Sequence, residues 1–426
     1  MRDDGFVATY LIETPLDPAR VAEVLAGEQS SGTFVRVAGE SDALRARSRA
    51  RVERLDELEP LPAPSLPNAL LERQQRAGPW RRARIRVAFP AANVGSNLPT
   101  LAATVAGNLY DLGETTGVRL EALELTPAFR GRFERPRQGI AGTRRATGVA
   151  DGPLFGTIIK PNVGLSADET GTLVGELCAA GVDFIKDDEC CGNPEHAPTP
   201  ERIRAVMRRV RAHQDRTGKH VMVAFNITDE HDAMLRHADL VAAQGGSCVM
   251  VSLNWVGFSS VQALRRRTDL ALHGHRNGFG MFSRHPALGM DFQPYQALWR
   301  LAGVDHMHVH GLQGKFSQPD VEVVRGAHDC LAPLADPAER ADTVMPAFSS
   351  GQWAGTMPAT AAVVPGGDFL FMCGGGILAH PGGVPAGVAS VRRAWQAVQA
   401  GESLDAAARS SVELRDALAF FGGKHG

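Results

Sequence analysis

The chain has 426 residues, of which 44% are hydrophobic and 22% charged, and a formal net charge of −2. These values are ordinary for a soluble globular protein with room for two domains, and the near-neutral charge disfavours a general nucleic-acid or anionic-membrane binder. No apolar run reaches the roughly 18 residues of a membrane span, and the first residues lack the plan of a signal peptide. A cytoplasmic protein is therefore predicted, with neither nucleic acid nor membrane as partner.

The first part of the chain, 1–130, mixes segments typical of strands and of helices. The strand-like segments are 5–13, 34–37 and 84–89, and the helical ones are 18–26 and 98–108. That order predicts a small α+β domain of the ferredoxin-like kind. Two stretches rich in Arg and Glu, 51–61 and 70–82, are interpreted as solvated faces, and the Gly- and Arg-rich residues 131–152 as a connecting segment.

From residue 153 to 426 short apolar runs alternate with amphipathic stretches. The runs lie at 155–161, 184–189, 221–228, 248–253, 270–276, 306–310, 344–349 and 369–373. Eight strand–helix units in about 250 residues predict a (β/α)₈ TIM barrel. A doubly wound sheet is the alternative, but such a sheet would more often carry a Gly-rich dinucleotide loop after its first strand, and none follows here.

Lysine is rare in this chain and is placed selectively. Only five lysines occur beside forty arginines; Lys160 and Lys186 lie in the apolar runs 155–161 and 184–189, and Lys315 follows the loop residues 311–314. Unlike Arg, a Lys amine can shift its pKa and transfer a proton. Because the active site of a TIM barrel lies at the carboxyl ends of its strands, we interpret these lysines as functional.

The densest polar element is Lys186-Asp187-Asp188-Glu189. Asp188 and Glu189 offer hard oxygen ligands suited to Mg²⁺. A free Lys186 would form an ordinary ion pair with them, whereas a carbamylated Lys186 would supply a third anionic oxygen. The Gly374-Gly375-Gly376 turn exposes backbone N–H groups of the kind that hold phosphate, while Arg276 and His308 could hold a second anion.

These residues, in this order, resemble the large subunit of ribulose-1,5-bisphosphate carboxylase/oxygenase (RuBisCO), and more narrowly the RuBisCO-like proteins. The most specific segment is Phe184-Ile185-Lys186-Asp187-Asp188-Glu189. The resemblance implies a Mg²⁺ site formed by Lys186 as a carbamate, Asp188 and Glu189, with CO₂ as the activator that forms the carbamate. It implies catalytic roles for Lys160, Lys186, His275, His308 and Lys315, and substrate or phosphate binding by Arg276, His308, Ser349, Gly351, Gly374 and Gly375.

The N-terminal region carries the resemblance further. The segment from Glu28 to Phe34 is similar to the family segment that reaches into a partner subunit's barrel, and Gly107-Asn108 is similar to the site of an active-site asparagine. The resemblance therefore implies that Glu28, Thr33 and Asn108 complete a neighbour's active site. It implies a homodimer with shared sites, with higher oligomers of such dimers left open.

Several residues depart from the carboxylase pattern. Ile158 and Asn162 replace a substrate-contacting threonine and a second lysine, and Phe279 replaces a histidine. We therefore predict a RuBisCO-like, Mg²⁺-dependent enzyme, a carboxy-lyase or isomerase, that forms an enediolate from a phosphorylated keto-sugar or sugar acid. Retention of Lys315 favours (de)carboxylation over the alternative of enolase- or isomerase-type proton transfer. True ribulose-bisphosphate carboxylation and a non-catalytic regulatory role are the remaining alternatives.

Overall fold

The computed structural model describes residues 5–32, 37 and 39–423. The strands in these residues are β1 (Gly5–Thr14), β2 (Arg51–Leu61), β3 (Trp80–Pro90), β4 (Gly117–Leu125), β5 (Leu154–Ile158), β6 (Phe184–Lys186), β7 (Met222–Asn226), β8 (Cys248–Ser252), β9 (Ala271–His275), β10 (Leu288–Met290), β11 (His306–His308), β12 (Met345–Phe348) and β13 (Leu370–Met372).

The α-helices in the described residues are α1 (Pro18–Glu28), α2 (Asp42–Ser48), α3 (Ala69–Arg73), α4 (Leu98–Ala106), α5 (Pro127–Arg130), α6 (Gly139–Thr147), α7 (Ala167–Ala180), α8 (Thr199–Thr217), α9 (His231–Ala243), α10 (Leu253–Arg267), α11 (Gly280–Ser283), α12 (Phe292–Leu301), α13 (Asp320–Leu331), α14 (Met357–Val363), α15 (Gly375–Leu378), α16 (Gly383–Gln399), α17 (Leu404–Ala408) and α18 (Val412–Gly422). Among them, none is both long and apolar enough to cross a membrane.

The chain folds as two compact units that are interleaved in sequence. The N-terminal unit comprises Met1–Glu134, Gly278–Ala302 and Pro333–Arg340, and the barrel unit comprises Arg135–Asn277, Gly303–Ala332 and Ala341–Gly426. Two short stretches from the second half of the chain therefore belong to the first unit, which a division into two continuous stretches does not represent.

The N-terminal unit is built on a five-stranded sheet in the order β10-β4-β1-β3-β2. The apolar strand β1 lies at the centre and pairs antiparallel with β3 and β4. Strand β2 is an edge strand whose charged side chains are mostly exposed, as is usual where an unpaired edge must resist further pairing. The predicted α+β domain is confirmed, although residues 51–61 form a strand that the sequence analysis did not assign. The predicted strand at 34–37 falls, apart from Val37, outside the described residues.

In the barrel unit, eight parallel strands close into a barrel in the order β11-β12-β13-β5-β6-β7-β8-β9. Each strand coincides with one of the eight predicted apolar runs, so the predicted TIM barrel is confirmed. Alternate residues of a strand point inward, and the interior is accordingly filled by side chains such as Met222 and Ala224 of β7 and Leu370 and Met372 of β13. Ile140 and Ala146 of α6 pack against this interior cluster.

The sequence around α7 shows how a barrel helix begins and ends. After β5, α7 begins at a capping box in which Ser166 and Glu169 satisfy each other's backbone N–H groups, and it ends at Gly181 in a left-handed conformation. Such caps satisfy orphan backbone groups at both ends of a helix. The two caps therefore fix the ends of α7, which connects β5 to β6.

The helix α6 is attached to the barrel through Asp305, a fully buried carboxylate. Its two oxygens accept hydrogen bonds from the backbone N–H groups of Gln138 and Gly139, at 2.7 and 2.8 Å, and from that of Leu272 at 2.8 Å. The buried Arg265 guanidinium also donates to it at 2.9 Å. Because a buried carboxylate is stable only when paired and hydrogen-bonded, Asp305 acts as a structural clamp.

Candidate active site

The carboxyl ends of the barrel strands bring most of the predicted residues to one edge of the barrel unit. Lys186 ends β6, His275 ends β9 and His308 ends β11, while Ser349 directly follows β12. Lys160 follows β5 by two residues. Because all eight strands are parallel, these residues lie at the same end of the barrel.

Lys186 is buried beside Glu189. Its Nζ donates to Glu189 Oε2 at 3.0 Å and to the backbone oxygen of Asp187 at 2.8 Å, and His275 Nε2 lies 3.4 Å from the same Glu189 oxygen. Burial acts to raise the pKa of Glu189, but the positive charge of Lys186, followed by the charge that His275 carries only at low pH, outweighs it and lowers this pKa to about 2. Glu189 is therefore ionised at neutral pH.

Lys160 makes the second ion pair of the site. Its Nζ donates to Asp188 Oδ2 at 2.7 Å and to Asn162 Oδ1 at 2.8 Å. The other Asp188 oxygen accepts from the backbone N–H of Cys190 at 3.0 Å. Asn162, which departs from the carboxylase pattern, thus holds the Lys160 ammonium against a carboxylate.

The third acidic residue of the segment, Asp187, has a structural environment. Its Oδ2 accepts from the buried Arg202 at 3.2 Å and from the backbone N–H of Asn226 at 3.0 Å. The Asn226 side chain in turn donates to the backbone oxygens of Asp188 and Glu189. Asp187 and Asn226 therefore hold the loop that carries the two carboxylates of the site.

Histidines occupy the side of the barrel end formed by β9 and β11. His308 Nδ1 lies 3.0 Å from Ser349 Oγ, and His308 Nε2 lies 2.7 Å from Nε2 of His273, a buried residue to which the sequence analysis gave no role. Burial, followed by the charge of Lys186, lowers the pKa of His275 to about 4. Desolvation likewise holds the pKa of His308 well below its usual value. These rings are uncharged at neutral pH.

The loop after β11 packs against the segment after β12. The backbone N–H of Lys315 donates to Ser350 O at 3.2 Å, and its Nζ lies 5.2 Å from the centre of the Phe316 ring. Gly351 has a φ of 91°, a conformation that favours glycine, and a Cβ built there would make ordinary van der Waals contact with Lys315. The structure thus places Lys315 beside the Ser349–Gly351 segment, and the roles of these residues stay predictions.

Two further predicted anion-binding elements lie in the barrel unit. Arg276 is buried and its Nη2 donates to Gln318 Oε1 at 2.5 Å. Gly374 and Gly375 stand at the start of α15, where a Cβ on Gly375 would meet nothing within 4 Å and one on Gly374 would meet only Ile158. The two glycines therefore border open space next to Ile158, one of the departures from the carboxylase pattern.

Glu28 and Asn108 belong to the N-terminal unit and are both exposed. Glu28 ends α1, and Asn108 starts a short 3₁₀ turn, Asn108–Asp111. Gln29, with its amide oxygen turned towards this turn, accepts from the backbone N–H groups of Asn108 and Leu109 at 3.3 and 3.2 Å. Thr33 lies outside the described residues. The role of all three in a neighbour's site stays a prediction.

The donor set of the Lys186 loop can be tested against the predicted Mg²⁺. In the described part of the chain, no three His, Cys, Asp or Glu side chains are grouped so as to hold a metal ion. Asp188 and Glu189 supply two hard oxygen ligands, and each is neutralised by a lysine. A third oxygen ligand would arise at Lys186 only if its amine carried a carbamate. The residues therefore fit Mg²⁺ in combination with that modification.

Comparison with known proteins agrees with this architecture. Residues 1–129 match the family model of the ribulose bisphosphate carboxylase large chain, N-terminal domain, and residues 139–421 match that of its catalytic domain. The crystal structure of a rubisco-like protein from Burkholderia fungorum is 65% identical, with a TM-score of 0.93, and the match covers 98% of this chain and 100% of that one.

Several relatives have names that state a specific function. The 3-oxo-isoapionate-4-phosphate transcarboxylase/hydrolase of Xanthobacter autotrophicus is 50% identical over 97% of this chain and 98% of its own length. The 3-oxo-isoapionate-4-phosphate decarboxylase of Rhizobium etli is 42% identical over 97% of this chain and 98% of its own length. The prediction of an enzyme of the RuBisCO superfamily is confirmed, and the chain belongs to the family of the ribulose bisphosphate carboxylase large chain.

Proposed function

We propose that the protein is a Mg²⁺-dependent decarboxylase of a 3-oxo sugar-acid phosphate, with 3-oxo-isoapionate 4-phosphate as the substrate to test first. The observation that carries the proposal is the ion pair of Lys160 with Asp188 at the barrel end to which the loop of Lys315, Arg276 and the glycines of α15 also belong. The names of the two relatives support the same substrate class.

The substrate class follows from the charges of the site. Such a substrate has a phosphate, a carboxylate and a ketone. The open backbone turn at Gly374 and Gly375 suits the phosphate, and the Lys315 ammonium suits the carboxylate. When bound at the carbamate of Lys186, Asp188 and Glu189, Mg²⁺ would supply electrophilic stabilisation of negative charge on the ketone oxygen.

The proposed decarboxylation breaks one carbon–carbon bond and transfers one proton. The bond between the carboxylate and the carbon next to the ketone breaks, its electron pair passes to the ketone as an enediolate, and the carboxylate leaves as CO₂. Lys160, which donates to Asp188 and Asn162, gives a proton to the carbon that lost the carboxylate and regains one from water. The uncharged His275 adds no like charge beside Lys186.

The test separates carbon–carbon cleavage from proton transfer alone. Purified protein, preincubated with bicarbonate and Mg²⁺, is given 3-oxo-isoapionate 4-phosphate carrying ¹³C in its carboxylate, and the label is followed by NMR. Label released as CO₂ or bicarbonate with a protonated keto-sugar phosphate is the expected result. Label retained in the carboxylate of a shorter acid, formed by cleavage at the ketone carbon, would indicate the hydrolase reaction instead, and label transferred to another carbon of a product would indicate the transcarboxylase reaction.

Variants then assign the roles of the two exposed lysines. Lys315→Ala should reduce decarboxylation by about 10²-fold, the usual effect of removing one charge-stabilising donor, while solvent deuterium exchange into the keto product persists. Lys160→Ala should abolish both. Arg325→Ala, an exposed cation on α13, is the matched control. Equal losses of cleavage and exchange in Lys315→Ala would favour the isomerase-type alternative.

A further inference from the structure

A line of three buried histidines crosses the barrel interior between α6 and Ser349. This histidine chain consists of His273 on β9 and of His306 and His308 on β11, which is hydrogen-bonded to β9. All three side chains are almost fully buried. The chain ends at Thr143 of α6 on one side and at Ser349 on the other.

Every ring nitrogen of the histidine chain has a polar partner. His306 Nε2 lies 2.6 Å from Thr143 Oγ1, and His306 Nδ1 lies 3.3 Å from His273 Nδ1. His273 Nε2 lies 2.7 Å from His308 Nε2, and His308 Nδ1 lies 3.0 Å from Ser349 Oγ. Four contacts therefore connect Thr143 to Ser349, and each can contain one proton.

The three rings are neutral, so each has one N–H donor and one acceptor nitrogen. Burial lowers the pKa of His306 to about 4 and holds those of His273 and His308 well below the usual value. With one proton per ring, the hydrogen bonds of the histidine chain can point in only two directions. Either every ring donates towards Thr143 or every ring donates towards Ser349.

Thr143 selects the direction. Its Oγ1 lies 2.5 Å from the backbone oxygen of Gly139, and a carbonyl oxygen can only accept. The Thr143 hydroxyl must therefore donate to Gly139, since otherwise two oxygens would face each other at that distance without a proton between them. Thr143 Oγ1 therefore accepts a hydrogen bond from His306 Nε2.

The direction then propagates along the chain. His306 carries its proton on Nε2, so its Nδ1 accepts from His273 Nδ1. His273 Nε2 consequently accepts from His308 Nε2. His308 Nδ1 is left as an acceptor, and the only donor in contact with it in the described structure is the Ser349 hydroxyl.

We propose that Thr143 is a positioning residue that acts through the histidine chain to hold Ser349 as a hydrogen-bond acceptor towards the substrate. Both nitrogens of His308 are engaged within the protein, so His308 acts on the substrate through Ser349. Ser350 Oγ lies 3.4 Å from Ser349 Oγ, a long contact for two hydroxyls, so the Ser349 oxygen can still accept from a substrate hydroxyl. A carbonyl or carboxylate at that place receives no proton from Ser349. The statement that Ser349 faces substrate rests on the proposed function; the proton arrangement does not.

The first experiment measures the arrangement itself in the intact protein. Histidines are labelled with ¹⁵N, and single His→Gln variants assign the three signals of the chain. The expected tautomers are Nε2–H for His306, Nδ1–H for His273 and Nε2–H for His308. The opposite set, or a charged ring at pH 7, would overturn the proposal. This result is independent of any activity.

The second experiment tests the role of Thr143. Thr143→Val keeps the side-chain shape and removes the hydroxyl, and we expect His308 to show a mixture of tautomers with a roughly tenfold lower kcat/KM, the equivalent of one hydrogen bond. Thr143→Ser keeps the hydroxyl and should behave like the native protein. Ser349→Ala should add little further loss in the Thr143→Val background, because both changes remove the same interaction.

The outcomes separate the two hypotheses. Native tautomers in Thr143→Val, or fully additive losses with Ser349→Ala, would reduce Thr143 to a packing residue and refute the proposal. If Thr143→Val does not fold, the tautomers of the native protein still decide it. If the tautomers are as expected but the 3-oxo sugar-acid phosphate is not cleaved, the proposed function fails while the proton arrangement stands.

Discussion

Acidification should destabilise the barrel unit through His306, whose ring is buried between α6 and β9. Burial lowers its pKa from 6.5 to about 4 in the folded protein. Between these two values the unfolded chain binds a proton that the folded protein does not. The free energy of unfolding therefore has its full value above about pH 6.5 and decreases as the pH falls towards 4.

The magnitude follows from the two pKa values. At pH 5 an unfolded histidine with a pKa of 6.5 is almost fully protonated, whereas His306, with a folded-state pKa of about 4, is mostly neutral. The difference in proton binding costs about 2 kcal/mol relative to pH 7. His273 and His308 have pKa values shifted in the same direction by burial, so the whole histidine chain should contribute more than this.

The assay is urea unfolding at pH 7, 6 and 5, followed in parallel by circular dichroism and fluorescence. His306→Gln removes the titrating ring but keeps an amide that can donate to Thr143. Titrating groups outside the histidine chain contribute equally to both proteins, so the native protein should lose at least about 2 kcal/mol more than His306→Gln between pH 7 and 5. Equal losses would mean that His306 titrates normally in the folded protein, which would refute the reasoning from its burial.

Three other predictions concern the clamp, the carbamate and the shared site. Asp305→Ala should lower the free energy of unfolding by about 3–5 kcal/mol, because it leaves a buried arginine without its partner; the exposed Asp215→Ala should change urea unfolding little. Activity should require preincubation with bicarbonate and Mg²⁺, and Lys186→Arg should be inactive; a rate indifferent to bicarbonate would contradict the carbamate. Glu28→Gln and Lys160→Ala, each inactive, should partly restore activity when mixed, and no recovery in exchanged dimers would argue against a shared site.

The barrel could be predicted from the sequence because parallel strands buried on both faces are written as continuous apolar runs. The N-terminal unit was harder for two physical reasons. Residues 51–61 are rich in Arg and Glu, and an exposed edge strand has no apolar run to mark it. The pairing of Leu288–Met290 with β4 joins residues about 170 positions apart, so no local pattern can indicate it.

The sequence indicated which residues lie at the carboxyl ends of the strands, but not which of them form ion pairs with each other. A polar residue at the end of an apolar run predicts a place at the barrel mouth, which located Lys160, Lys186 and His275. Which carboxylate each lysine contacts depends on the turn after β6, where Asp187 points to Arg202 instead. Thr143 has no such signal, because its role depends on the packing of α6 against the barrel.

The pairing explains why carbamate and metal should act together. In this structure the positive charges of Lys160 and Lys186 balance the negative charges of Asp188 and Glu189, so the net charge of the four groups is zero. A divalent cation added here would bring two uncompensated positive charges among largely buried groups, which is costly. Carbamylation changes Lys186 from +1 to −1, and the resulting charge of −2 is what one Mg²⁺ neutralises. Neither the carbamate without Mg²⁺ nor Mg²⁺ without the carbamate gives a site of zero net charge. Lys186→Arg is expected to be inactive because a guanidinium stays positively charged and can only form the ion pair with Glu189.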